Sequence, residues 1–140
     1  RFWCEFPASR HFPARMDLEQ LKAGRHYYVV DPQALEEQAG RSLVAVTDEV
    51  LERAGVRAGD VALFVVHYLD PRVARRAAAT AHLPADRVVA TAEAAGHVAA
   101  AGVPMAVADA LAAGRVRRGD LVCCVAFGAG LSWAGAVLRL

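Results

Sequence analysis

Apolar positions recur along the chain with two different periods, and their alternation outlines a series of helices and strands. Leu35, Ala39, Leu43, Val46, Val50 and Ala54 fall at spacings of three and four, laying one apolar stripe along a helix. Asp31 and Pro32 precede it as N-cap and first helical residue, and Gly55 follows as its stop. Residues 61–66, Val-Ala-Leu-Phe-Val-Val, form a continuous apolar run between Gly59-Asp60 and His67. Continuous apolarity predicts a strand buried on both faces. Asp70-Pro71 opens a second helix that ends near His82-Leu83-Pro84. Residues 87–91 read as a short strand, 96–114 as containing a small-residue helix with Pro104 near its first turn, and 121–127 as a second buried strand. The small-residue turn Gly128-Ala129-Gly130 leads into a final strand over 131–140, and so short a connection predicts an antiparallel hairpin. Ahead of this series, residues 25–30 read as a short strand. Residues 1–25 show no period and carry Phe2, Trp3, Phe6, Pro7, Phe12 and Pro13. They read as an irregular lead-in, with a short helical turn at Leu18–Lys22, to a domain over residues 26–140.

A weak internal repeat fixes the class. Helix, Gly55, Val56-Arg57-Ala58-Gly59-Asp60 and an apolar strand form one copy; helix, Gly114, Val116-Arg117-Arg118-Gly119-Asp120 and an apolar strand form the other. Two helix-to-strand units of one design feed a sheet in parallel through right-handed crossovers. With the terminal hairpin, the expectation is an α/β fold with a mixed sheet and helices on both faces.

Composition narrows the setting. At 140 residues the chain is sized for one domain, and 56% hydrophobic with 22% charged residues excludes a disordered chain. A formal net charge of +1 gives no basic face for nucleic acid. No apolar run reaches the roughly 18–20 residues of a membrane span. Three cysteines make no disulfide framework, so a reducing cytoplasm is the expected compartment. Alanine is abundant and Lys22 is the only lysine, a bias with no functional content. The chain opens on Arg1 rather than methionine, so we expect a piece of something longer.

Candidate chemistry is sparse. His67 ends the first buried strand, and ligands of open α/β sheets bind beyond the carboxyl ends of strands; taken alone it is equally a satisfied core histidine. His97 precedes an alanine-rich helix, where the positive helix end would favour a neutral imidazole able to donate to an oxyanion; taken alone it reads as an exposed helix-cap residue. Phe127, Gly128, Ala129 and Gly130 form a turn where backbone N–H groups can approach a ligand, or an ordinary hairpin turn. Arg72, Arg75 and Arg76 share a helix face that could meet phosphate or simply water. Cys123 and Cys124 are adjacent in a strand, so they point to opposite faces and cannot chelate one metal; with Cys4 they read as structural. No metal-ligand cluster, phosphate loop or Ser-His-Asp arrangement stands out.

Taken together, three motifs carry a resemblance: His67; the run from Gly96-His97 to Val103-Pro104; and Gly119-Asp120-Leu121-Val122 followed by the run from Ala126-Phe127-Gly128-Ala129-Gly130 to Ala134. In this order and spacing they resemble the C-terminal half of beta-ketoacyl-[acyl-carrier-protein] synthase III, a thiolase-like family, over about residues 26–140. The resemblance implies half of a five-layered α-β-α-β-α fold. It also implies a homodimeric acyltransferase of fatty acid or polyketide biosynthesis that condenses an acyl-CoA primer with malonyl-acyl carrier protein, losing carbon dioxide. No cofactor or metal is implied beyond these substrates. The family's catalytic histidine maps onto His67, and its asparagine onto His97. Its carrier-docking arginine maps onto Arg72, with Arg75 and Arg76 beside it to meet carrier protein or phosphopantetheine. The oxyanion turn maps onto Phe127, Gly128, Ala129 and Gly130.

Departures from the pattern are visible. His67-Tyr68-Leu69-Asp70 stands where the family has H-Q-A-N, and His97 replaces asparagine, as in elongating synthases that use two histidines. The nucleophilic cysteine belongs to the family's N-terminal half, which is not among these residues, so the chain alone is expected to be inactive. Two alternatives stay open: a non-catalytic thiolase-fold module that binds a partner, and a relative that transfers acyl groups to oxygen or nitrogen in a natural-product pathway.

Overall fold

A computed structural model describes residues 2–4 and 16–140, which divide into two compact units, residues 1–36 and 37–140. In the first unit, strand β1 (Phe2–Cys4) pairs antiparallel with β2 (Tyr28–Val30), with Phe2 opposite Val30. Helix α1 (Leu18–Lys22) lies between them in sequence. Asp17 caps it by accepting from the Gln20 backbone N–H at 2.7 Å, while the Gln20 side chain accepts from the Asp17 N–H at 3.0 Å. The stretch read as irregular thus holds a strand that no sequence period marks. The strand expected over 25–30 shortens to three residues, because a turn from Gly24, closed by the Tyr27 N–H on the Gly24 carbonyl at 2.9 Å, takes up residues 25–27. The aromatic and proline positions Phe6, Pro7, Phe12 and Pro13 lie outside the described residues.

Helix α2 (Pro32–Ala54) starts in the first unit and runs into the second. Asp31 caps it through the Ala34 N–H at 3.1 Å, and Gly55 ends it at φ +63°. Its buried face is Ala39, Ser42, Leu43, Val46, Thr47 and Leu51. The stripe therefore shifts from its expected course near the end, where Leu51 is buried and Ala54 is exposed. The two polar members are satisfied: Thr47 donates to the Leu43 carbonyl at 2.7 Å, and Gln38 donates to Ser42 Oγ at 2.9 Å.

The second unit is built on a four-stranded sheet in the order β4 (Val88–Ala90), β3 (Leu63–His67), β5 (Leu121–Gly128), β6 (Ser132–Arg139). β3 lies parallel to both β4 and β5, and β5 and β6 form the antiparallel hairpin. All five residues of β3 are buried, as continuous apolarity requires. Leu63, Val65, Val122 and Cys124 pack against Ala106 and Ala110 of helix α5 (Gly102–Ala112). Val46 and Val50 of α2 lie on the other face, where a Cβ at Gly135 would come within 3.2 Å of them. Helix α3 (Pro71–Thr80) carries the β3-to-β4 crossover and buries Val73, Ala74, Ala77 and Ala78. A short helix, α4 (Ala92–Ala95), follows β4.

The repeat has a structural basis. In each copy the aspartate accepts from the backbone N–H of the arginine three residues earlier, Asp60 from Arg57 at 3.3 Å and Asp120 from Arg117 at 2.9 Å. These side-chain-closed turns redirect the chain from a helix into β3 and into β5. The helix expected within 96–114 is α5, with Pro104 in its first turn. Residues 96–98 form neither helix nor strand, Ala99–Ala101 is a 3-10 turn, and α5 begins only at Gly102. Pro104 explains the late start: its missing N–H is harmless only within the first turn of a helix.

Phe64 is among the largest fully buried side chains of the sheet. Phe64→Ala should cost about 3–5 kcal/mol. Urea unfolding of the two forms measures it, and a loss below about 1 kcal/mol, the range of an ordinary surface change, would contradict the core described here.

Candidate active site

The carboxyl ends of β3 and β5 lie side by side, with His67 directly opposite Ala126. They open onto a cleft of 410 Å³. His67, His97, Ala99 and Ala100 line one part, and Ala126 to Ala129 with Ser132, Trp133 and Ala134 line the rest. Two of the three motifs singled out above therefore meet a histidine of the third at one opening.

His67 is placed by β3 and is only 8% exposed. Its Nδ1 lies 2.7 Å from Thr91 Oγ1. Thr91 is anchored in turn by its own N–H, which donates to the Val66 carbonyl at 3.2 Å. The opposite wall is Gly102, the first residue of α5. A Cβ there would sit 2.8 Å from His67 Nδ1 and 3.0 Å from Cε1, so only glycine lets helix and ring approach this closely.

His97 reaches the site from the irregular stretch after Gly96, whose φ of +71° turns the chain out of α4. It is exposed and caps neither helix: Val98 precedes the 3-10 turn and Ala101 precedes α5. Its ring stacks on His67 with centroids 5.4 Å apart and planes at 29°. Burial pushes the His67 pKa below the ordinary histidine value, and the charge of His97 pushes it further in the same direction. The His67 ring therefore keeps its neutral form to lower pH than an ordinary histidine, and protonating it works increasingly against the fold as pH falls.

The turn is braced by aromatic rings. Phe127, buried at the end of β5, stacks on its cross-strand partner Trp133 with centroids 6.2 Å apart and planes at 4°. Tyr68 meets Phe127 edge-on at 5.7 Å. Ser132 donates to the Ala129 carbonyl at 3.0 Å and closes the loop. Gly128 and Ala129 thus line the cleft beside this closed loop.

Arg72, Arg75 and Arg76 lie on the exposed side of α3, which leaves the sheet just after His67. Asp70 caps α3 through the Arg72 N–H at 2.8 Å and pairs with the Arg72 guanidinium at 2.7 Å. These contacts, the side-chain bond foremost, hold the Asp70 carboxyl at a pKa of about 2. Arg75 is engaged by both carboxylate oxygens of Glu93, at 2.7 and 2.6 Å, and by the Val88 carbonyl. It therefore ties α3 to β4 and α4. Cys123 and Cys124 are buried and outside the cleft; burial drives the Cys123 thiol up to about 12 and raises that of Cys124 as well. Neither is a thiolate at neutral pH. Among the described residues, no group of three or more histidine, cysteine or acidic side chains could hold a metal.

Thr91 and Gly102 are the site residues that the sequence patterns did not single out for a role. Thr91 ends a short strand, where nothing local marks a histidine partner 24 residues away.

This fold, a mixed sheet between helices with paired parallel strands ending at the cleft, is that of the thiolase-like proteins. Residues 51–140 match the family model of the 3-Oxoacyl-[acyl-carrier-protein (ACP)] synthase III C terminal, and the chain belongs to that family. It is 37% identical over 121 residues to the beta-ketoacyl-[acyl-carrier-protein] synthase III of Symbiobacterium thermophilum, covering 86% of this chain and 37% of that protein. Its structure is similar to that of the synthase III of Thermus thermophilus, with TM-score 0.81 and 30% identity, covering 99% of this chain and 41% of the other. It is also similar to a priming beta-ketosynthase of a polyketide biosynthetic pathway, with TM-score 0.77 and 32% identity, covering 88% and 37%. The chain thus spans well under half the length of these relatives.

Two outcomes test the geometry. Gly102→Ala should expel the His67 ring from its seat and break its bond to Thr91, visible as a large shift of the His67 ring signals in NMR spectra; unmoved signals would contradict the packing. His97→Asn removes the nearby charge, so the His67 titration midpoint should rise; a midpoint unchanged or lowered would contradict the electrostatic coupling.

Proposed function

We propose that this chain forms the histidine-bearing part of an enzyme that condenses an acyl-CoA primer with malonyl-acyl carrier protein. The observation that carries the reading is the stack of His67 on His97 facing the glycine-containing turn across one cleft. In this reading a cysteine outside these 140 residues takes the acyl group as a thioester. The malonyl thioester binds with its carbonyl oxygen toward the two histidines. Loss of carbon dioxide leaves an enolate, whose charge on oxygen is stabilised by ring N–H donors. The enolate carbon attacks the acyl thioester, the cysteine thiolate leaves, and a 3-ketoacyl product remains on the carrier. The backbone at Phe127, Gly128, Ala129 and Gly130 shapes the acyl pocket and contributes to the oxyanion site.

Several observations support these roles. The lowered His67 pKa favours a neutral ring, which still carries one N–H to donate to a carbonyl. The high thiol pKa values of Cys123 and Cys124 argue for a nucleophile from elsewhere. The exposed arginine side of α3 is suited to an acidic carrier protein or to phosphopantetheine, with Arg72 the residue nearest in sequence to His67. The partners of this reading are acyl-CoA, the carrier protein, and either a further copy of the enzyme or a cysteine-bearing half. No helix among the described residues is long and apolar enough to cross a membrane, and a cytoplasmic site of action fits the thioester substrates.

His67→Ala in the complete cysteine-bearing enzyme tests the reading. Condensation should fall by about 10²-fold or more, the loss expected for removing an oxyanion donor, while self-acylation from acyl-CoA persists. Radiolabelled primer separates the two steps; condensation at the original rate would reject the role of His67.

A further inference from the structure

Thr91 occupies the position before α4 with helical φ and ψ of −58° and −29°, yet its side chain makes no capping bond. A threonine there usually accepts from a helix N–H. Here the residue is buried, 8% exposed, and its hydroxyl lies 2.7 Å from His67 Nδ1. We infer that Thr91 is a positioning residue that selects the Nε2–H tautomer of His67, leaving the ring N–H free for the cleft that His67 lines. The inference rests on the proposed function for its importance, but not for its geometry.

The choice follows from where two protons can go. A neutral imidazole has one N–H and one bare nitrogen, and a hydroxyl has one O–H. If Nδ1 carried the ring proton, it would donate to Thr91 Oγ1, and the buried hydroxyl proton would have no acceptor. If the hydroxyl donates to Nδ1, both protons are placed, the hydroxyl's on the ring and the ring's at Nε2. An orphaned buried donor is rarer and costlier than an underused lone pair. The seat is rigid on both sides: the Thr91 N–H holds the residue to Val66, and Gly102 closes against Nδ1 and Cε1. For an enolate oxygen the difference is one of sign, because the other tautomer would turn a lone pair toward the developing charge.

Long-range proton–nitrogen NMR spectra of the histidine rings decide the matter in the wild-type chain, with His67→Gln to assign the signals. Recorded at a pH where His67 is neutral, wild type and Thr91→Ser should show an unprotonated Nδ1 and a protonated Nε2. Thr91→Val should lose that preference and give a mixture or the opposite tautomer. A protonated Nδ1 in wild type, or in Thr91→Ser, overturns the inference; so does an unchanged tautomer in a folded Thr91→Val. If Thr91→Val does not fold, wild type and Thr91→Ser still decide. The spectra need no substrate. A correct tautomer in a protein whose complete form does not condense counts against the proposed function alone, and a wrong tautomer in an active enzyme counts against this inference alone.

Discussion

The His67 ring is confined on every side that matters, and the rest of the site depends on that confinement. β3 carries it to the end of a wholly buried strand, Thr91 holds one ring nitrogen, and Gly102 fills the space where any side chain would collide with it. Each constraint comes from a different element: the strand from apolar burial, the threonine from the end of β4, the glycine from the start of α5. A side chain held in this way loses little entropy when it meets a ligand, which is the general advantage of a preorganised donor.

Polar and apolar demands are separated along the sheet. The body of β3 and β5 is close-packed and dry, with both cysteines inert inside it. At the carboxyl ends polar groups gather again, and there the sheet hands over to an exposed stretch at His97 and a braced turn at Phe127. The packed aromatics matter for this reason: Trp133 stacks on Phe127 and Tyr68 meets it at a steep angle, so the glycine-containing turn is braced by rings as well as by the Ser132 bond to Ala129.

Much of the second unit was legible in the sequence because local patterns and tertiary packing agree there. The α2 stripe, the continuous apolar runs of β3 and β5, and the terminal hairpin each follow from period and turn chemistry alone. The expected pair of parallel strands followed from the Arg-to-Asp turns at Arg57 and Arg117, whose bonding the structure supplies. Less was legible where one residue decides. Gly96 and Ala99, both at positive φ, set where α5 can begin, and composition alone marks only that a helix lies within 96–114. β1 carries no period, since three residues are too few to show one. At the site, histidines and glycines were visible as residue types, but the Thr91 contact spans 24 positions and leaves no local pattern. Arg75, grouped with Arg72 and Arg76 by spacing, is bound to Glu93 through a contact equally invisible in sequence.

The central claim is that His67, His97 and the turn after β5 form one thioester-binding cleft. Titrating the chain with a malonyl-thioester analogue that cannot lose carbon dioxide, and following the NMR signals, tests it most directly. The account predicts that the largest changes fall on the rings of His67 and His97 and on the backbone N–H groups of Gly128 and Ala129. Changes concentrated elsewhere on the surface, with these groups unmoved, would contradict it.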